Sequence, residues 1–253
     1  MKIRGSQTAQ ADGTGHRLKQ PAGRVGALVL AALVLAPLAV AAVAGAQATG
    51  AQAQELTRLY APKPPAGSAY VRVVDLTRSG SPISFSSDAR AVQPGSGEAA
   101  SIYRIVKGGA PLTLNLAGKP VNGPVTPPAD AFSTLVITPN ESLILIPDST
   151  EGRNDLKAQL RFYNLVPDCI GAVTVVDGPK VFEGVATHDT RQRAINPIEA
   201  TLEASCGATK TETLKLPPLK AGDHYSLFLV PTGGAPALAG QRDETEPYRA
   251  PAN

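Results

Sequence analysis

The sequence predicts an all-β protein: two tandem small β-sandwich-like domains after a cleaved signal peptide. Three observations predict it. Short runs of alternating apolar and polar residues, rich in Val, Ile, Leu and Thr, recur between Gly/Pro turns, which is the signature of half-buried strands. No stretch beyond residue 46 keeps helical periodicity over a dozen residues, so the layers available are sheets. Finally, one strand motif returns 89 residues later: Ala69-Tyr-Val-Arg72-Val-Val-Asp75-Leu76 aligns with Ala158-Gln-Leu-Arg161-Phe-Tyr-Asn164-Leu165.

Taken in order, residues 1–46 read as a signal peptide. Lys2, Arg4, Arg17, Lys19 and Arg24 face a single acid, Asp12, and precede an uncharged apolar run from Val25 to Ala46. Ala44-Gly45-Ala46 and Ala46-Gln47-Ala48 offer small-residue cleavage sites, completing the three-part export pattern. A run of this length also suits an uncleaved anchor; Pro37 and the Ala/Gly-rich end favour cleavage. Residues 47–58 are small and polar, a flexible tail. The first domain is expected over 59–150, with strands at 69–76, 101–106, 111–116, 132–138 and 142–147. Glu151 to Asp155 make a polar linker. The second domain is expected over 156–232, with strands at 158–165, 172–176, 198–204, 211–216 and 224–230, and residues 233–253 as a disordered C-terminal tail. Pro127-Pro128 and Pro217-Pro218 precede strands at corresponding places, which extends the repeat.

The two cysteines, Cys169 and Cys206, both fall in the second domain. In an exported chain an even count points to a disulfide, with two free buried thiols as the alternative. A spacing of 37 lacks the close pairs that zinc ligands need, so no metal is expected, and no cofactor either.

Composition narrows the function. The formal charge of +3 belongs to the leader, and the nearly neutral remainder offers no footprint for nucleic acid. Trp is absent and aromatics make up 4% of the chain, which supplies a stacking cleft for sugars poorly. No G-x-S-x-G elbow occurs, nor a Gly-Asp-Ser block with a later Asp-x-x-His. Gly95-x-Gly97-x-x-Ala100 leads into a strand rather than a helix, unlike a dinucleotide loop. His188 and His224 read as surface histidines, and Asn140-Glu141-Ser142 as a tight turn. The chain is not expected to be an enzyme. What remains is a partner-binding surface. Arg72 and Arg161, near Tyr70 and Tyr163, take the polar positions of equivalent strands, and Arg72, Arg161 and Tyr163 are expected to point outward, with Leu160 and Phe162 facing the core. Asn196 and Pro197 lie in a polar loop, Arg191 to Pro197, ahead of the strand at 198. Arg72, Arg161, Tyr163, Asn196 and Pro197 are therefore the candidate contact residues, against the plainer reading of a solvated strand face.

Three segments carry a family resemblance. Leu59-Tyr60-Ala61-Pro62 with Pro65-Ala-Gly-Ser-Ala-Tyr-Val-Arg72-Val73, then Leu160-Arg-Phe-Tyr-Asn-Leu165, then Arg193-Ala-Ile-Asn-Pro197 with Ile198-Glu-Ala-Thr-Leu202 resemble the AlgF family of alginate O-acetylation. The resemblance spans roughly 59–230. It implies a periplasmic protein with two all-β domains and no catalytic role. Such a protein links a membrane O-acyltransferase to periplasmic SGNH-like acetyltransferases. A carbohydrate-binding module holding the secreted polymer, or the same adaptor role in cellulose acetylation, are the alternatives.

Overall fold

Two strands, β1 (Ser68–Asp75) and β9 (Ala158–Asn164), are buried along nearly their whole length, and the architecture follows from that. The computed structural model describes residues 63–249, all within one compact unit, Glu55–Asn253. The expected signal peptide and the tail at 47–58 lie outside the described residues.

The protein is all-β, with no helix among the described residues. In the first half, β1 pairs antiparallel with β4 (Arg104–Lys107) and parallel with β7 (Phe132–Ile137), and β7 pairs antiparallel with β8 (Leu143–Asp148). The sheet order is β4-β1-β7-β8. A second sheet holds β3 (Asp88–Ala91), β2 (Ile83–Phe85), β5 (Leu114–Leu116) and β6 (Lys119–Pro120) in that order. Between the two sheets lies a core of Val71, Val73, Ile83, Phe85, Leu114 and Leu135 with their neighbours.

The second half repeats the plan. β9 pairs antiparallel with β12 (Thr190–Ile195) and parallel with β16 (His224–Val230), and β16 pairs antiparallel with β17 (Ala237–Arg242). The order β12-β9-β16-β17 thus copies β4-β1-β7-β8. Its facing sheet contains β11 (Lys180–Val185), β10 (Gly171–Val175), β13 (Thr201–Cys206) and β14 (Thr209–Lys210), with β15 (Leu214–Lys215) also on β13. Leu160, Phe162, Val173, Leu202, Leu227 and Leu229 fill the core between them. A Cys169–Cys206 disulfide joins the turn just before β10 to the end of β13, with Cα atoms 5.5 Å apart.

Alternation places Val71 and Val73, or Leu160 and Phe162, in each half's own core. The opposite faces do not meet water. Val74, Val136, Ile146, Tyr163 and Phe228 form a third apolar cluster where the two repeated sheets face each other. Arg72 and Tyr163 are 0% exposed and Arg161 7%. The outward, solvated placement expected for these three is therefore corrected: the partner they meet is the other half of the same chain.

Three more expectations change. The stretch at 233–253 is not a disordered tail up to residue 249, because β17 pairs with β16 and Thr245 bridges Tyr103. The segment Arg191 to Ile195 is strand β12 rather than loop, and only Asn196 and Pro197 turn away, exposed, beyond its end. Both histidines are half-buried rather than on the open surface. The Asn140-Glu141 turn between β7 and β8 is present, closed by Thr138 and Ser142 backbone pairing, with Glu141 at φ 57°. Gly108 sits where a Cβ would lie 2.5 Å from Ala129 Cα and 2.7 Å from Gly67 O; only glycine permits that approach.

Candidate functional site

The repeated sheets bring equivalent residues to one polar centre. Arg72 on β1 lies beside Thr134 on β7, and Arg161 on β9 beside Ser226 on β16. Asp148 ends β8, and Asp243 follows β17. Each half thus contributes one arginine, one hydroxyl and one carboxylate.

The arginines cross over. Arg72 Nη1 donates to Asp243 Oδ1 of the second half at 2.7 Å. Arg161 Nη1 lies 3.9 Å from Asp148 Oδ1 of the first half. Each carboxylate is also held by its own half's hydroxyl: Thr134 Oγ1 donates to Asp148 Oδ2 at 2.8 Å, and Ser226 Oγ to Asp243 Oδ1 at 2.6 Å. Arg72 further donates to Thr134 Oγ1 (2.9 Å), Tyr163 Oη (2.7 Å) and Ser226 Oγ (2.9 Å). The Tyr163 hydroxyl in turn donates to Asp148 Oδ1 at 2.6 Å, and Tyr103 Oη donates to Asp148 Oδ2 at 2.7 Å. The Arg72 guanidinium also lies 4.6 Å from the Tyr103 ring centroid and 5.0 Å from that of Phe228, close enough for cation–π attraction.

Burial alone opposes charge on Arg72. The surrounding oxygens of Tyr103, Tyr163, Asp243 and Asp148 outweigh it and hold the guanidinium above its ordinary value. Burial also pushes the Tyr163 phenol up to about 12 and Tyr103 well above the usual range, so both stay protonated and serve as donors. A fully connected buried network of this kind rigidifies the parts it joins.

Above the network opens a cavity of about 210 Å³, walled by Tyr103, Phe132, Arg161, Gln192, His224 and the two aspartates. The linker residues Ser149 to Glu151 and Arg153, together with Gln159 and Thr245, also line it. Arg161 Nη2 donates to Ser149 O and to Gln192 Oε1. Gln159 Oε1 is buried with no hydrogen-bond partner among the described residues. Burial, reinforced by Arg153 and Arg161 and opposed by Asp243, holds His224 below its ordinary value; its imidazole is neutral at pH 7.

Of the residues expected to bind a partner, the structure gathers Arg72, Arg161 and Tyr163 in one network and leaves Asn196 and Pro197 outside the cavity. Sequence reasoning missed Tyr103, Thr134, Asp148, Ser226 and Asp243. The repeat held the signal for two of them, since strand pairing sets Thr134 and Ser226 opposite the two repeated arginines.

Comparison with known proteins gives the family. The model of the family described as Alginate O-acetyl transferase AlgF matches residues 38–226. The Alginate biosynthesis protein AlgF of Pseudomonas putida is 30% identical over 177 residues, covering 70% of this chain and 80% of that one. Among solved structures, the C-terminal domain of AlgF from P. aeruginosa is 27% identical and covers 34% of this chain and 98% of its own, with a TM-score of 0.31; the assignment does not rest on that overlay. The family match over three-quarters of the sequence and the identity over most of a relative's length agree: the chain belongs to the AlgF family.

Proposed function

We propose that this protein is a non-catalytic adaptor in the O-acetylation of an exported polysaccharide, alginate, acting in the periplasm. It connects a membrane O-acyltransferase to SGNH-like acetyltransferases. Family membership over residues 38–226 carries the reading. Each repeated half, 59–150 and 156–242, is one domain in this view, and the crossed arginines hold the pair as one platform. The exposed Asn196-Pro197 turn contributes to its contact surface. The chemistry of the centre supports a non-catalytic role. Both hydroxyls, Thr134 and Ser226, accept from Arg72 while donating to a carboxylate, so their lone pairs face a cation rather than a substrate.

The test is genetic and biochemical together. Deleting the gene should abolish acetyl esters on the secreted polymer without stopping polymer export, and the tagged protein should co-purify with an acetyltransferase. Acetyl transfer by the purified protein alone, or normal acetylation in the deletion strain, would overturn the reading. Acetyl loss from secreted cellulose instead of a uronate polymer would move the same role to that polymer. A second reading has one observation behind it: the unpartnered Gln159 oxygen in the cavity wall fits a bound hydroxyl, as in a carbohydrate-binding module. Calorimetric titration with plain and acetylated uronate oligomers tests it.

A further inference from the structure

Among the described residues, the internal repeat leaves one strand position filled in the first half and unpaired in the second. β4 is an edge strand of its sheet, yet that edge is occupied. The chain beyond β17 returns and lies along it: Tyr103 N donates to Glu244 O and Glu246 N donates to Tyr103 O, each at 2.8 Å. Thr245 forms a parallel bridge with Tyr103. The Glu246 carboxylate then completes the contact, accepting from Ile105 N at 2.9 Å and lying 2.7 Å from Arg104 Nε.

β12 holds the matching place in the second half. Arg104 pairs with Val71 and Arg193 with Leu160, so the two arginines are register equivalents, 89 residues apart like the rest of the repeat. Gln192 and Ala194 then correspond to Tyr103 and Ile105, and their backbone groups face away from β9 in the antiparallel alternation. Among the described residues, β12 pairs with β9 alone. The linker after Asp148 runs beside β12 with no backbone bond to it among the described residues, and side chains hold it there. Glu151 N donates to Ser149 Oγ, and Gln192 Nε2 to Glu151 O. Arg193 is exposed and has no carboxylate partner among the described residues; its guanidinium makes only a long hydrogen bond, 3.5 Å, to Val181 O there. Arg191, also exposed, is already paired with Asp189 at 3.1 Å, so Arg193 is the free cation of this strand among the described residues.

The geometry points to β12 as a docking edge for an extended acidic segment of a partner protein, added as a strand in the manner of residues 243–246 on β4. Strand addition draws affinity from main-chain pairing and specificity from side chains at fixed positions. Here the specific element is a carboxylate on the residue whose N–H meets the Gln192 carbonyl. It would reach Arg193 and the Ala194 N–H together. This deepens the adaptor reading by naming where its protein partner docks, and rests on that reading for the partner's identity alone.

The probe is a synthetic peptide of this chain's own Gln241–Arg249, blocked at both ends and fluorescently labelled, titrated onto the purified protein by anisotropy. Hydrogen exchange maps the site. Saturable binding with slowed exchange at Gln192 and Ala194 is expected. Arg193→Gln, or Gln in place of Glu246 in the peptide, removes one charge-assisted bond and should weaken binding about tenfold. Ala194→Pro deletes an N–H that faces outward, which edge strands tolerate, and should abolish binding at an unchanged melting temperature. No saturable binding, protection at Tyr103 and Ile105 instead, or indifference to both the Arg193 and the peptide changes would each overturn the inference. If Ala194→Pro fails to fold, its N–H belongs to the interior, which also overturns it. No partner enters this assay, so its failure is separate from failure of the acetylation test.

Discussion

Replacing Arg72 by Met tests whether the crossed network holds the two halves together. Met nearly fills the space of the arginine stem, so the packing loss is small and the electrostatic loss dominates. Four donated bonds disappear. The three hydroxyls keep their own donor bonds to carboxylates and lose only an incoming one. Asp243 bears the main cost: its side chain is 12% exposed and its guanidinium partner at 2.7 Å is gone. Removing one member of a buried ion pair costs about 3–5 kcal/mol. At roughly 2–4 °C per kcal/mol for a unit of this size, the melting temperature should fall by about 10 °C. Urea unfolding with an unchanged m-value gives the free energy directly. Asp243→Leu on its own should destabilise by a similar amount, while the double variant should lose much less than the sum, with a coupling of about 2 kcal/mol. Additive single effects, or an Arg72→Met cost below about 1 kcal/mol, a surface-like value, would refute the reasoning.

Arg161→Met should cost clearly less than Arg72→Met in the same urea assay, because its carboxylate lies 3.9 Å away and its side chain borders the open cavity. Replacing Cys169 and Cys206 together by Ser should lower stability by about 4 kcal/mol on the chain-entropy estimate for this loop, and unreduced peptide mapping should show the linked pair in the native protein. Burial lowers the folded-state proton affinity of His224 below the ordinary 6.5, so the unfolded chain binds the extra proton first. Stability is then full above pH 6.5 and falls as pH drops toward the folded value; His224→Gln should flatten that segment of the melting-temperature profile. Gly108→Ala should cost about 1–3 kcal/mol by forcing backbone apart, read by thermal melting.

Much of this fold was legible in the chain. Alternation located β1, β7, β8, β9 and β16 to within a residue or so, because a strand with one face in a core must alternate. The 89-residue repeat gave the duplicated plan, and the paired cysteines gave the disulfide. Other strands were hidden by composition. β17 is built from Ala-Leu-Ala-Gly-Gln-Arg, mostly weak strand formers, and β12 from Thr-Arg-Gln-Arg-Ala-Ile, whose polar middle masks the strand-favouring Thr and Ile at its ends. Only the tertiary structure decided what the polar positions of β1 and β9 face. An arginine alternating with valines reads the same whether it meets water or a buried carboxylate, since local pattern records polarity and not the partner. Asp243 lies 171 residues from Arg72 in sequence, and the packing of one sheet on its copy brings the two together, just as it brings Arg161 to Asp148 of the first sheet. That is why two arginines that look like a solvated surface form the centre of the joint.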